Sequence, residues 1–397
     1  MVLACLNRGL VIASTQGLEC RSILAQKIGV TEPFKFLQPA PMEGKGAYNR
    51  SSSVQAVGSL PAVALLERVA RAVPLPPSPE LVVIADYGSS EGHNSLKPIA
   101  ATIRALRERV GHERAIFVFH TDLPGNDFTA LFQMLANDPN SYLRNDPAAF
   151  AAAVGRSYFE QILPTSSVTL GWSAWAVQWL SQVPCVIPDQ VQIAYSRDAA
   201  ARSAFADQAA EDWRRFITMR SRELRPGARL VVLTMATDDS GDFGYRPVVA
   251  ALYETLTDMV DHGLIREEEF RRMVIPTVGR TRAQFMEPFA KGGCFEDLSI
   301  EDFELFHGED RIGTQFEASG DAHAFGAQWA AFCRASVFPT LAASLDGAPD
   351  RARSVKFFDE LETGAAARLA AAPVRMTIPL AQMMLVKANS SARRSAR

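Results

Sequence analysis

Short apolar runs alternate with helical periodicity through the first half of the chain, and helical periodicity dominates most of the second. Leu81-Val82-Val83-Ile84-Ala85 is apolar and largely β-branched, the pattern of a strand buried on both faces in a parallel sheet. It ends at Asp86 and a loop of small residues, Gly88, Ser89, Ser90 and Gly92. Ile99, Ile103 and Leu106 then mark one face of a helix, with Asn94 or Ser95 as its expected N-cap. Ala115 to Phe119 repeats the buried-strand pattern, and Ser167 to Leu170 and Arg229 to Met235 add two more strands. Helices are expected through Leu65, Val69 and Val73 up to Pro74, over Phe128 to Ala136, and over Ala199 to Arg222 with Phe205, Trp213, Phe216 and Met219 on the apolar side. Past Thr237 the pattern predicts helices at Val248 to His262, Glu267 to Met273, Ala283 to Lys291, Ile300 to Leu305, Ala322 to Val337 and Asp350 to Leu361. Ser299 opens an S-x-x-D capping pattern before the fourth of these. Val374 to Leu385 reads as β-structure returning to the sheet.

This alternation defines an α/β protein, a Rossmann-like sheet with helices on both faces and an α-helical cap. Four segments are expected: a mobile extension over 1–40, a cofactor-type α/β domain over 41–240 completed by about 373–387, a helical cap over 241–372 forming a substrate-binding domain, and a mobile tail over 388–397. The small-residue loop after the first strand lets backbone approach a nucleotide-like ligand, although Gly88 and Gly92 serve equally well as plain turn residues. An acid at the end of the second strand accepts hydrogen bonds from ribose hydroxyls; Asp122 fits that role, whereas Asp127 is better placed to cap the next helix. A nicotinamide dehydrogenase matches poorly, because Asp122 lies far past the ~20-residue offset and no GxGxxG is present.

Composition narrows the chemistry. A net charge of -3 and an acidic pI near 6.1 argue against an extended nucleic-acid surface. No apolar run is long enough for a membrane span. The five cysteines lack CxxC spacing and the six histidines are dispersed, so no metal site is expected and a reducing cytoplasm is. Trp172, Trp175 and Trp179 cluster after the fourth strand; Trp175 and Trp179, four apart, would share one face of a helix and wall a pocket.

With the fragments MEGKGAYNRSSSVQ, IADYGSSEGHN, DLPGNDF and WLSQVP in this order, the chain resembles, from about Met42 to Lys387, the SABATH family of S-adenosylmethionine-dependent methyltransferases, which act mainly on carboxylic acids. The resemblance implies S-adenosyl-L-methionine as methyl donor and a homodimer. It also implies cofactor contacts from Tyr48, Ser52, Asp86, Gly88, Asn94, Asp122 and Leu123, with Ser157 and Tyr158 against the adenine. Gln55 and the indole of Trp179 would donate to the substrate carboxylate, with Trp175, Gln178, Val248 and Val249 forming the pocket. Glu43 stands where the family often has lysine. Valines at 248 and 249, where aromatic-acid enzymes often place a bulky ring, favour a fatty acid, giving its methyl ester; an aromatic acid is the alternative, and binding without turnover a further one.

Overall fold

The computed structural model describes residues 39–44, 53–347 and 351–389. Tyr48, Ser52 and nearly all of the two expected mobile ends lie outside the described residues. Two helices come first among the described residues, α1 (Ser53–Gly58) and α2 (Leu60–Ala72). The sheet then builds through β1 (Val82–Tyr87), α3 (His93–Val110), β2 (Ile116–Asp122), α4 (Phe128–Asn137), β3 (Ala149–Gly155), β4 (Val168–Ala174), α5 (Ala199–Glu223) and β5 (Leu224–Met235). After it come α6 (Arg246–Asp261), β6 (Leu298–His307), α7 (Ala322–Ser336), α8 (Arg351–Ala371) and β7 (Pro379–Lys387).

The seven strands lie in the order β3-β2-β1-β4-β5-β7-β6. The first five pair in parallel, β7 runs antiparallel to β5, and β6 antiparallel to β7. β1 is buried along its whole length, which is why it reads as a continuous apolar run rather than an alternating one. Its neighbours are β2 on one side and β4 on the other, so the order reverses at β1. The crevice at the carboxyl ends of β1 and β4 is where such sheets bind ligands.

Three expectations need correction. Ile300 to Leu305 is not a helix but part of β6, and Ser299 therefore caps nothing. A register shift between Ile300 and Asp302 breaks the period-2 alternation and leaves Ile300 and Phe303 at a helix-like spacing. The α3 N-cap is Gly92, in a left-handed conformation, and Asn94 sits inside the first turn. Finally, α8 continues to Ala371, well past Leu361. A helix at Arg311–Ser319, capped by Asp310, escaped the pattern altogether.

The segment before α1 crosses to the cap. The Glu43 amide donates to the Ala335 carbonyl (3.1 Å), and the Glu43 carboxylate lies 3.6 Å from the Arg334 guanidinium on α7. An acid in place of the family lysine thus serves as a strut to the cap. On the sheet's other side a buried network ties α5 to the strands. Glu223 accepts hydrogen bonds from the Tyr87 hydroxyl (2.6 Å), Arg220 Nε (3.0 Å) and the Leu163 amide (3.2 Å). Arg220 also donates to the carbonyls of Tyr158 (2.7 Å) and Glu160 (2.8 Å), and its guanidinium lies over the Tyr87 ring. Breaking a buried pair leaves the remaining charge uncompensated. Glu223→Gln should therefore cost about 3–5 kcal/mol, read as a lowered urea midpoint; a loss under about 1 kcal/mol would show that the pair does not hold the fold.

Candidate active site

The loop after β1 is shaped by close approaches. Gly88 has φ +86°, and a Cβ there would lie 2.5 Å from the Ala176 side chain, so both the conformation and the contact require glycine. The amides of Gly88 and Ser89 both donate to the Thr121 carbonyl (2.9 and 3.0 Å). Ser90 adopts a left-handed φ of +49°, uncommon outside glycine and a conformation often stored at functional sites. Its amide donates to one carboxylate oxygen of Asp122 (2.7 Å), while the Leu123 amide donates to the other (2.7 Å). Burial pushes the Asp122 carboxyl up to about 6, against the pull of these two amides. The Ser89 and Ser90 hydroxyls are buried and have no hydrogen-bond partner among the described residues.

Beneath this loop Asp86 is almost completely buried. One of its carboxylate oxygens lies 2.8 Å from His120 Nδ1, and His120 Nε2 lies 2.8 Å from the Tyr142 hydroxyl. The Asp86 side chain is thereby engaged from within the protein. Ser157 and Tyr158 occupy the turn after β3. The Tyr158 hydroxyl donates to the Ala176 carbonyl (2.9 Å), and its ring passes the Gly88 position, whereas the Ser157 hydroxyl accepts the Phe159 amide at 3.3 Å. Asp86, Gly88, Asp122, Leu123 and Tyr158 thus gather at one crevice. Ser157 and Asn94 flank it through their chain neighbours.

The chain leaving β4 is not the expected helix. Trp175 turns sharply with φ +55° and donates its amide to the Leu233 carbonyl (2.9 Å). For so bulky a residue that conformation is strained and must be held by its surroundings. Trp179 bridges to Thr277, and the Leu180 amide donates to the Pro276 carbonyl (2.9 Å). Both ends of the Gln178 amide are used, donating to the Trp175 carbonyl (2.6 Å) and accepting from the Thr234 hydroxyl (2.9 Å). Buried Arg280 donates to the carbonyls of Val177 (2.6 Å) and Ala209 (2.8 Å). Burial lowers its guanidinium to about 10, with Asp212 opposing the shift, so it stays charged at neutral pH. Trp172 belongs to β4 and is core, not pocket wall.

This loop forms one side of a cavity in which water-sized molecules can place their centres over about 70 Å³. Gln55, Trp175, Gln178, Trp179 and Met235 line it from the sheet side; Phe243, Tyr245, Val248, Val249, Leu252, Phe332 and Cys333 line it from the cap. The Gln55 amide oxygen and the Trp175 indole N–H are buried without a hydrogen-bond partner among the described residues. The Trp175 ring packs on Gly58, where a Cβ would stand 2.5 Å from it. Among the described residues no cluster of metal-binding side chains occurs, and no helix is long and apolar enough to cross a membrane.

Residues 38–383 match the model of the SAM dependent carboxyl methyltransferase family. Salicylate carboxymethyltransferase of Clarkia breweri is 29% identical over 57% of this chain and 64% of its own length. Anthranilate O-methyltransferase 1 of Zea mays is 25% identical over 66% of this chain and 75% of its own. A solved loganic acid methyltransferase with SAH superposes with a TM-score of 0.70 at 19% identity, covering 88% of this chain and 99% of that one, which shows the shared fold. The chain belongs to the S-adenosylmethionine-dependent carboxyl methyltransferases. S-adenosylmethionine is its methyl donor, and the crevice suits that molecule. Two orphaned serine hydroxyls and a strand-end carboxylate are what a polar, hydroxyl-rich nucleoside needs.

Sequence reasoning missed several residues on which the site depends. Ser89 and Ser90 read only as small loop residues. Arg220, Glu223 and Arg280 carried no signal, since an arginine's burial depends on carbonyls brought from distant segments. The raised Asp122 carboxyl leads to a prediction. Above pH 6 the carboxylate can accept ligand hydroxyls; below it a proton occupies an acceptor site. Cofactor affinity, measured by calorimetry with S-adenosylhomocysteine, should fall as pH drops through about 6, approaching tenfold per pH unit. Asp122→Asn should bind more weakly at pH 8 and lose that dependence. An unchanged pH profile in the variant would assign the effect to another group.

Proposed function

We propose that the cavity takes a compact, ring-sized carboxylic acid and that Gln55, Trp175 and Trp179 hold its carboxylate for methyl transfer. The observation that carries this reading is the Trp175 indole N–H, a buried donor without a hydrogen-bond partner among the described residues, in an otherwise mostly apolar cavity. A buried donor left unpaired costs about 1–3 kcal/mol, so it points to a ligand acceptor such as a carboxylate oxygen. The Gln55 amide oxygen is an acceptor, and Gln55 serves a carboxylate with its amide turned to present the NH2 group. Trp179 lines the same space and brings a second indole.

The size of the acid follows from the space. The space open to the centres of water-sized molecules, about 70 Å³, accommodates a small ligand such as a single ring or a short chain, and a long acyl chain would have to extend beyond it. Val248 and Val249 do line the cavity and give an aliphatic stretch of wall, as a fatty acid would use. Trp175, Trp179, Phe243, Tyr245 and Phe332 surround the same space with rings, which favours a flat acid. The names of the salicylate and anthranilate enzymes among its relatives agree with that preference.

Bound S-adenosylmethionine supplies a methyl group on a cationic sulfur. The protein's part is positioning. A carboxylic acid with a pKa near ~4 is already ionised at neutral pH, so no general base is required. Neutral donors can fix the carboxylate's direction without the tight ion pairing that would weaken it as a nucleophile. Closure of the cap over an apolar cavity keeps water from the reacting atoms.

The test uses methyl-labelled S-adenosylmethionine with benzoate, salicylate, 3-phenylpropanoate, octanoate and palmitate. Methyl esters of the ring acids, with octanoate second and palmitate negligible, are expected. Palmitate as the best acceptor would overturn the size argument. Gln55→Ala and Trp179→Phe should each lower kcat/KM about 10–100-fold, in line with loss of one or two positioning hydrogen bonds. Unchanged kinetics in both would remove them from the site.

A further inference from the structure

Tyr245 lines the cavity from the cap side, immediately before α6, and is 4% exposed. Its hydroxyl is buried and has no hydrogen-bond partner among the described residues. The ring has little freedom to seek one. Trp329 meets it edge-on at 6.3 Å, Phe243 packs at 5.6 Å, and the Tyr245 amide is tied to the Tyr195 hydroxyl (2.9 Å). Burial holds the phenol in its protonated form, a neutral donor at every working pH. Ser336, also on the cavity wall, spends its hydroxyl on the Phe332 carbonyl (2.6 Å), and the Trp329 indole N–H is itself a donor and cannot accept from the phenol. Cys333 beside it is a neutral thiol, pushed up to about 12 by burial.

A buried water is a poor occupant for such a position. Water is held by two to four polar partners, and the cap side of the wall is mostly apolar, with Val248, Val249, Leu252 and Phe332, while Ser336 already spends its hydroxyl. An oxygen carried on an apolar ligand needs only one donor, because the ligand's own atoms fill the remaining contacts.

We propose that the Tyr245 hydroxyl is a specificity-determining donor to a second oxygen on the substrate, away from its carboxylate, so that the preferred acids are oxo-, hydroxy- or alkoxy-substituted rather than plain hydrocarbon acids. This rests on the cavity being the acid-binding site. A site built to hydrogen-bond a substrate group rejects an analogue lacking it far more strongly than an apolar site rejects a missing methylene.

The experiment measures kcat/KM for two matched pairs: octanoate with 7-oxooctanoate, and 3-phenylpropanoate with 3-(4-methoxyphenyl)propanoate. The oxygenated member of at least one pair should be preferred about tenfold or more. In Tyr245→Phe that ratio should fall to about one, with the change residing in KM. The melting temperature of the variant should not drop, since the hydroxyl bonds to no described protein group. Preference for the plain acid in both pairs, or the same ratio in wild type and variant, would overturn the proposal. So would an equal loss for both members, which would mark Tyr245 as packing alone. Failure of the underlying reading looks different: wild-type enzyme would methylate none of the four acids while still binding S-adenosylhomocysteine.

Discussion

Everything in the active site is hung on the segment that leaves β4. Ala176 packs into the space that Gly88 leaves open, which sets the shape of the cofactor loop. The Ala176 carbonyl accepts the Tyr158 hydroxyl and so places that ring at the crevice. One residue earlier, Trp175 turns into the cavity; two later, Gln178 locks the turn to Thr234 on β5. Trp179 and Leu180 then bridge to Thr277 and Pro276 at the base of the cap. A turn with a left-handed tryptophan would not hold by itself. Arg280 is the fastener, a buried cation whose hydrogen bonds go to the backbone carbonyls of Val177 and Ala209. The crevice at the carboxyl ends of β1 and β4 and the cavity under the cap are therefore two faces of one short piece of chain. Distortion at either is transmitted to the other through packed contacts.

This explains what could and could not be seen along the chain. β1, β2, β4 and β5 are buried on both faces or nearly so, and apolar runs announce them. Asp122 and Gly88 were legible because a strand end fixes them relative to the sheet. The 175–180 turn was not, because the spacing of Trp175 and Trp179 matches a helix while its actual course depends on Leu233, Thr234 and Arg280, all distant in sequence. β6 failed for a related reason: its bulge erased the alternation, and only pairing with β7 makes it a strand. Buried arginines and orphaned hydroxyls leave no pattern at all, since their meaning lies in which partners the fold brings or withholds.

Electrostatically the site divides its labour. Charge is concentrated where it shapes the protein, in the Arg220–Glu223 pair and in Arg280, and at Asp122, which faces the cofactor crevice. Among the described residues the cavity under the cap is lined by neutral groups instead: three amides, two indoles, a phenol, a thiol and two hydroxyls. Glu43 follows the same division, since its charge is turned towards Arg334 on the cap. Such a cavity can orient a carboxylate without neutralising it, and among the described residues that line it none is charged.

The most direct test of that account is the pH dependence of kcat for the best acid, measured with S-adenosylmethionine saturating at every pH. If the carboxylate reacts as it arrives and the protein only positions it, kcat should be level from about pH 7 to 9, above the ordinary ionisation of a carboxyl group. A rise through that range, following one ionisation, would reveal a general base and contradict the account.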